Sequence, residues 1–259
     1  MNAVVTLNLY QDAFPPNFRL SMATAAARWG VPYLEITEPL FPTETPGRVS
    51  AFKEKEHLDE RLLSFDRVAY FDRDIVIRND CPSPFDIVPK DHLGVVVDIQ
   101  ERSPVVAVIE QSSSLLSDLF DVSLTVKNYF NAGIMIFSPS VHKPLFDLVR
   151  KLREEVTDYL YDDNFHDQGL LNAGVLMLGM PIYYLPREFN RIGARVWSEK
   201  KWTGTMDAYV YHFCGPKDPD PMTAWQRVAG INWYDCSTPV HKEGQGIEEM
   251  ELTHSGVSG

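Results

Sequence analysis

Cysteine is scarce in this chain: Cys81, Cys214 and Cys236 are the complete set, and no pair has the C-x-x-C spacing. An odd, scattered count argues against a disulfide framework and a thiolate zinc site, and predicts reduced thiols. Long hydrophobic runs are missing too. No apolar segment approaches the roughly 18 residues of a membrane span. No basic flank precedes the first apolar run, AVVTLNL, so neither a span nor a secretion signal is expected, and the chain reads as cytoplasmic. Positive charge is also in short supply. Lys and Arg number 24 against 36 Asp and Glu, a net charge of −12. That argues against a general surface for nucleic acid or anionic membrane, although a local basic site for phosphates stays compatible. A carbohydrate, a neutral acceptor or a metal ion suits the balance better.

What is present is an ordinary globular composition, 44% hydrophobic over 259 residues, enough for a sizeable core. Short apolar runs alternate with helical patterns over the first 110 residues: VVTLNL (4–9), an alanine-rich segment (21–29), VPYLEI (31–36) and 52–64. Alternation of this kind predicts an α/β fold with a mainly parallel, mixed central sheet flanked by helices. Further runs at 68–71, 93–97, 105–109, 132–137 and 182–185 read as strands covered on both faces. Apolar residues at 141, 145, 148, 149, 152, 156 and 160 have helical spacing. No repeat or long linker divides the chain, so one domain over 1–238 is expected. Residues 239–259, rich in glycine and charge, read as a loosely ordered tail.

The stretch VAYFDRDIVI (68–77) sets Asp72 and Asp74 against buried apolar runs. In an extended segment, residues i and i+2 face the same way, so both carboxylates can address one point where the strand ends. A hard divalent cation would offset the repulsion between them. Spacing alone leaves a salt bridge or a solvated turn open, because Asp218 and Asp220 repeat it in a proline-rich loop. Three other segments add weight. YFNAGIMIFSPSV (129–141) puts Asn131, Ala132 and Gly133 at the start of an apolar strand, where small residues allow close approach to the backbone. HDQGLLNAG (166–174) puts Asp167 and Gln168 at a predicted helix start, where caps are also common. YVYHFCGPK (209–217) ends a β-rich run with His212, Gly215 and Lys217.

Taken in order, these four segments resemble the glycogenin-like group of retaining glycosyltransferases with the GT-A fold. The resemblance runs from about Lys53 to Lys217, with Lys217 one position short of the family's lysine. It implies a single GT-A-type domain and a metal-dependent retaining transferase that moves a hexose, glucose or galactose, from a UDP-sugar. By resemblance, Asp72, Asp74 and His212 would hold Mn²⁺, with Mg²⁺ as the other candidate. Lys217 would stabilise the departing diphosphate. Asp98, Asn131 and Asp167 would grip the sugar hydroxyls, with Ala132, Gly133, Gly215 and Arg73 also near the donor and Tyr10 against the base. Gln168 would lie near the anomeric carbon, its carbonyl facing positive charge on the ring. Lys53 and Lys55, on the segment before Asp72, are weaker candidates for phosphate contacts, and the favoured reading of both is a solvated charge. The acceptor stays open among glycan, lipid, protein and small molecule. Two other classes stay in view: a sugar nucleotidyltransferase, which lacks support because the loop after the first strand is acidic rather than glycine-rich and basic, and a non-catalytic nucleotide-sugar or glycan-binding protein.

Overall fold

The computed structural model describes residues 1–9, 16–41, 48–98, 105–156, 166–192 and 208–212. It opens with β1 (Asn2–Leu7), α1 (Pro16–Arg28), β2 (Tyr33–Ile36), α2 (Arg48–Lys55) and α3 (Leu58–Arg61). β3 (Arg67–Phe71), β4 (Ile75–Ile77), α4 (Pro84–Ile87), β5 (Leu93–Val97) and α5 (Val105–Phe120) follow. The remainder is β6 (Phe130–Phe137), α6 (Pro139–Val156), α7 (His166–Leu178), β7 (Ile182–Tyr184), a 3-10 turn (Arg187–Phe189), β8 (Arg191–Ile192) and β9 (Val210–His212).

Six strands form the central sheet in the order β2-β1-β3-β6-β5-β7. β6 runs against both its neighbours, and the other pairs are parallel. A smaller sheet, β4-β9-β8, sits beside it. The fold is therefore the mixed α/β architecture that the alternating runs predicted.

The central strands are covered on both faces, which is why they read as unbroken apolar runs. Val68 and Tyr70 of β3 enter one core with Leu58 and Leu62 and with Leu145, Val149, Leu152 and Val156 of α6. Ala69 and Phe71 point the other way, into a core with Phe18, Met22, Ala25 and Ala26 of α1 and with β4. Alternation fails at one place in β6. Phe130 and Ala132 share a core with Met135 and Phe137, whereas Ile134 and Ile136 face the opposite core. The pairing of β5 with β6 shifts register over the same stretch. Such a slip breaks the two-residue period and re-aims side chains, a device common beside functional sites.

One predicted strand is a helix. The run at 105–109 begins α5, because its apolar pattern continues at helical spacing: Ile109, Ser113 and Leu116 are all buried. The predicted helix at 141–160 is α6, observed to Val156; Leu160 lies outside the described residues. So does the tail at 239–259. Cys81 is a buried free thiol. Among the described residues no helix is long and apolar enough to cross a membrane.

Candidate active site

Among the described residues, the site side chains singled out in the sequence converge at one edge of the sheet. Asp72 directly follows β3 and Asp98 directly follows β5, so both stand at carboxyl ends of strands. Antiparallel β6 brings its first residues, Asn131 to Gly133, to that same edge. The small sheet supplies the last member: β9 pairs with β4 so that His212 lies opposite Ile75, next to Asp74.

Asp72 and Asp74 are not on one extended segment, as their spacing had predicted. The ladder ends with the Asp72 N–H donating to the Gly133 carbonyl at 2.8 Å, and the chain then turns through Arg73 and Asp74 into β4. The turn nevertheless brings the carboxylates together. One ligand atom each from Asp72, Asp74 and His212 lie within 4.8 Å of one another. His212 Nε2 is 3.2 Å from Asp74 Oδ1 and 3.7 Å from Asp72 Oδ2. The other Asp72 oxygen, Oδ1, is occupied from behind, accepting from the Tyr70 hydroxyl at 2.6 Å and facing Lys55 Nζ at 3.2 Å. Burial, reinforced by the Asp72 charge, pushes the Tyr70 phenol well above its usual range, so it donates at any ordinary pH. Two carboxylate oxygens and one imidazole nitrogen at this separation could hold a divalent metal ion.

Gly133 explains how a histidine ring fits there. A Cβ on Gly133 would stand 2.2 Å from His212 Cε1 and 2.8 Å from Asp72 Oδ2. The sequence predicted a small residue so that a ligand could approach the backbone. The group that makes the close approach is the ring of His212.

Lys55 overturns its reading as a solvated charge. It is buried, 2.7 Å from Asp167 Oδ2, and its ammonium also reaches the Ala132 carbonyl at 3.4 Å and the Tyr70 ring. Burial alone would lower the pKa of this amine, but Asp167 and Asp72 together raise it above the ordinary lysine range. Burying an ammonium costs several kcal/mol, which the two carboxylates offset. Lys53, by contrast, is exposed as expected.

Asp167 and Gln168 lie in the first turn of α7. Asn172, one turn on, holds that helix against β6: its oxygen accepts from the Phe130 N–H at 2.8 Å and its nitrogen donates to the Phe130 carbonyl at 2.9 Å. Gln168 is thereby placed at the centre of a buried polar network. Its amide donates to Asp98 Oδ2 at 2.7 Å, and its carbonyl accepts from Asn131 Nδ2 and from the Ala132 N–H, both at 3.1 Å. Both lone pairs of that carbonyl are engaged, so facing the sugar would mean giving up one of these bonds.

Asp72, Asp74, His212, Asp98, Asn131, Ala132, Gly133, Asp167 and Gln168 are thus brought together, with Arg73 half-buried in the turn between the aspartates. Tyr10, Gly215 and Lys217 lie outside the described residues. Sequence reasoning missed Asn190, a buried residue whose amide touches both Asn131 and His212.

The model of a family described as glycosyl transferase family 8 matches residues 56–219. Among solved structures, the chain resembles the galactosyltransferase LgtC in complex with donor and acceptor sugar analogues. That likeness has 17% identity and a TM-score of 0.57, and covers 89% of this chain and 95% of that one. It also resembles a glycosyltransferase involved in glycosylation of the major capsid of PBCV-1, with 13% identity, a TM-score of 0.54, and 83% and 94% of the two chains covered. At these identities the likeness establishes the fold. No curated protein sequence matches.

Proposed function

This chain belongs to glycosyl transferase family 8 and has the GT-A fold, and from that premise we propose that it is a metal-dependent retaining transferase moving a hexose, glucose or galactose, from a UDP-sugar. The observation that carries the proposal is the adjacency of two groups of side chains. Asp72, Asp74 and His212 form a cation-sized cluster, and Lys55, Asp98, Asn131, Asp167 and Gln168 form a buried polar network beside it.

Asp72, Asp74 and His212 would hold Mn²⁺, which when bound neutralises the charge growing on the leaving diphosphate. Lys217, by family analogy, adds a second positive charge at the same oxygens. Asp98, Asn131 and Asp167 orient the sugar by accepting from or donating to its hydroxyls. Gln168 holds Asp98 and Asn131 at the required angle beneath them.

Retention by two displacements needs a nucleophilic carboxylate under the anomeric carbon. Gln168 offers a neutral amide there, and the charge of Asp167 is committed to Lys55. These pairings favour departure and attack on one face of the sugar, with the leaving phosphate assisting deprotonation of the acceptor. The acceptor hydroxyl comes from a glycan, lipid, protein or small molecule, recognised by loops rather than by the sheet edge.

Incubation with Mn²⁺ and UDP-glucose or UDP-galactose tests the proposal. UDP release, faster with an acceptor present, is the expected result. Binding with no release would make the chain a nucleotide-sugar binding protein, and UTP formation dependent on pyrophosphate would make it a nucleotidyltransferase.

A further inference from the structure

Which end of a buried amide is oxygen can be settled by a neighbouring backbone N–H, because that group can only donate. Two such anchors stand in β6. The Ala132 N–H lies 3.1 Å from the side-chain oxygen of Gln168, and the Gly133 N–H lies 3.0 Å from that of Asn131. Each fixes the atom it faces as an acceptor. The nitrogen of Gln168 therefore faces the Asp98 carboxylate, and the nitrogen of Asn131 faces the Gln168 carbonyl.

Asn190 follows the turn Arg187–Phe189 and is buried. Its atom 3.0 Å from the Asn131 oxygen must be the amide nitrogen. The Asn190 carbonyl then faces Nδ1 of His212 at 3.1 Å. A carbonyl accepts only, so Nδ1 carries the proton. In the neutral ring, the form that can bind a metal, the lone pair is then on Nε2, which faces Asp74 and Asp72. A lone pair and two carboxylates facing one another repel unless a proton on Nε2 or a bound cation lies among them, and a metal ion takes the place of that proton.

We infer that Asn190 is a positioning residue that sets the tautomer of His212 for metal ligation and ties the metal ligands to the buried network of Asn131, Gln168 and Asp98. The inference rests on the proposed metal role of Asp72, Asp74 and His212. A metal-binding histidine whose other N–H is held by an acceptor ligates in one orientation, and removing such an acceptor costs about 10–100-fold in metal affinity. Because one amide grips both His212 and Asn131, ordering either side favours the other. Mn²⁺ and the donor sugar therefore tighten each other's binding, and the coupling is reciprocal.

The test compares Asn190→Ala with Asn190→Asp by titrating Mn²⁺ and following the free ion by electron paramagnetic resonance, first without nucleotide and then with UDP or UDP-glucose. Asp at 190 can still accept from the His212 N–H but cannot donate to the Asn131 oxygen, whereas Ala can do neither. Asn190→Ala is expected to weaken Mn²⁺ binding without nucleotide by about 10–100-fold. Asn190→Asp is expected to restore it. In both variants the extra tightening that UDP-glucose gives over UDP should shrink. Unfolding midpoints in chelator separate these effects from a change in folding. Asn190→Ala binding Mn²⁺ as tightly as the parent would overturn the tautomer role. Asn190→Asp binding as weakly as Asn190→Ala would overturn it as well. A parent protein that takes up no Mn²⁺ removes the metal role itself, which distinguishes that failure from failure of the relay.

Discussion

The ammonium of Lys55 and the carboxylate of Asp167 meet at 2.7 Å with both side chains buried, joining the end of α2 to the start of α7. The same nitrogen faces Asp72, so one cation steadies a proposed sugar-binding residue and a proposed metal ligand together.

Lys55→Met should leave Asp167 as an uncompensated buried charge and destabilise the fold by about 3 kcal/mol. Urea unfolding measures this directly. An unchanged midpoint would mean that Asp167 is held by something other than Lys55.

The position of Lys55 was legible in part. Phe52, Lys55, Leu58 and Leu62 recur at helical spacing, and Leu58 and Leu62 enter the core, so Lys55 falls on the buried face of the 52–64 pattern. The charge of its side chain outweighed that signal, because an isolated buried lysine is costly. What made burial affordable, the pair Asp72 and Asp167, lies 17 and 112 residues away and is visible only in three dimensions.

Gly133→Ala should remove Mn²⁺-dependent nucleotide binding while leaving most of the fold intact. The added carbon overlaps His212 Cε1 and must push the ring away from Asp72 and Asp74. Calorimetric titration of UDP in Mn²⁺ reads the loss, which should reach at least about tenfold for a displaced ligand. Undiminished binding would show that His212 does not ligate.

Apolar patterning exposed the strands for a simple reason: sheet and helices bury them on both faces, so β3, β5 and β6 carry almost no polar residues. Asn190 had no such marker. It stands between a buried phenylalanine and a two-residue strand, and its partners come from β6 and β9. The helix α5 was misread because its first five residues look the same as a buried strand; only the later turns show the helical period.

His142 should give the fold a dependence on mild acid. Its Nδ1 accepts from the Ser138 N–H at 3.0 Å, it is fully buried, and Arg67 and His92 lie near it with Asp91 opposing them. Burial, with help from Arg67 and His92, lowers its pKa, more than offsetting the Ser138 carbonyl and Asp91. A histidine with a depressed folded pKa contributes stability that is complete above its unfolded pKa of about 6.5 and declines as the pH falls below it. Urea midpoints at pH 7.5 and 5.5 should therefore fall more steeply in the parent than in His142→Gln. Equal slopes would remove His142 from the account.

Gln168→Ala should slow hexose transfer without changing the anomer formed, since the side chain holds Asp98 and Asn131 rather than attacking the sugar. NMR of the product reads the linkage. A β-linked product from an α-linked donor would exclude retention, and a glycosyl adduct trapped on Asp167 would replace the one-face route with two displacements.

The most direct measurement of the central claim is calorimetric titration of UDP into the parent protein and Asp74→Asn, each with Mn²⁺ and again with chelator. The account predicts tight binding only for the parent in Mn²⁺, with affinity falling by at least about tenfold in the variant or on metal removal. Equal UDP affinity in parent and variant, with or without Mn²⁺, would contradict it.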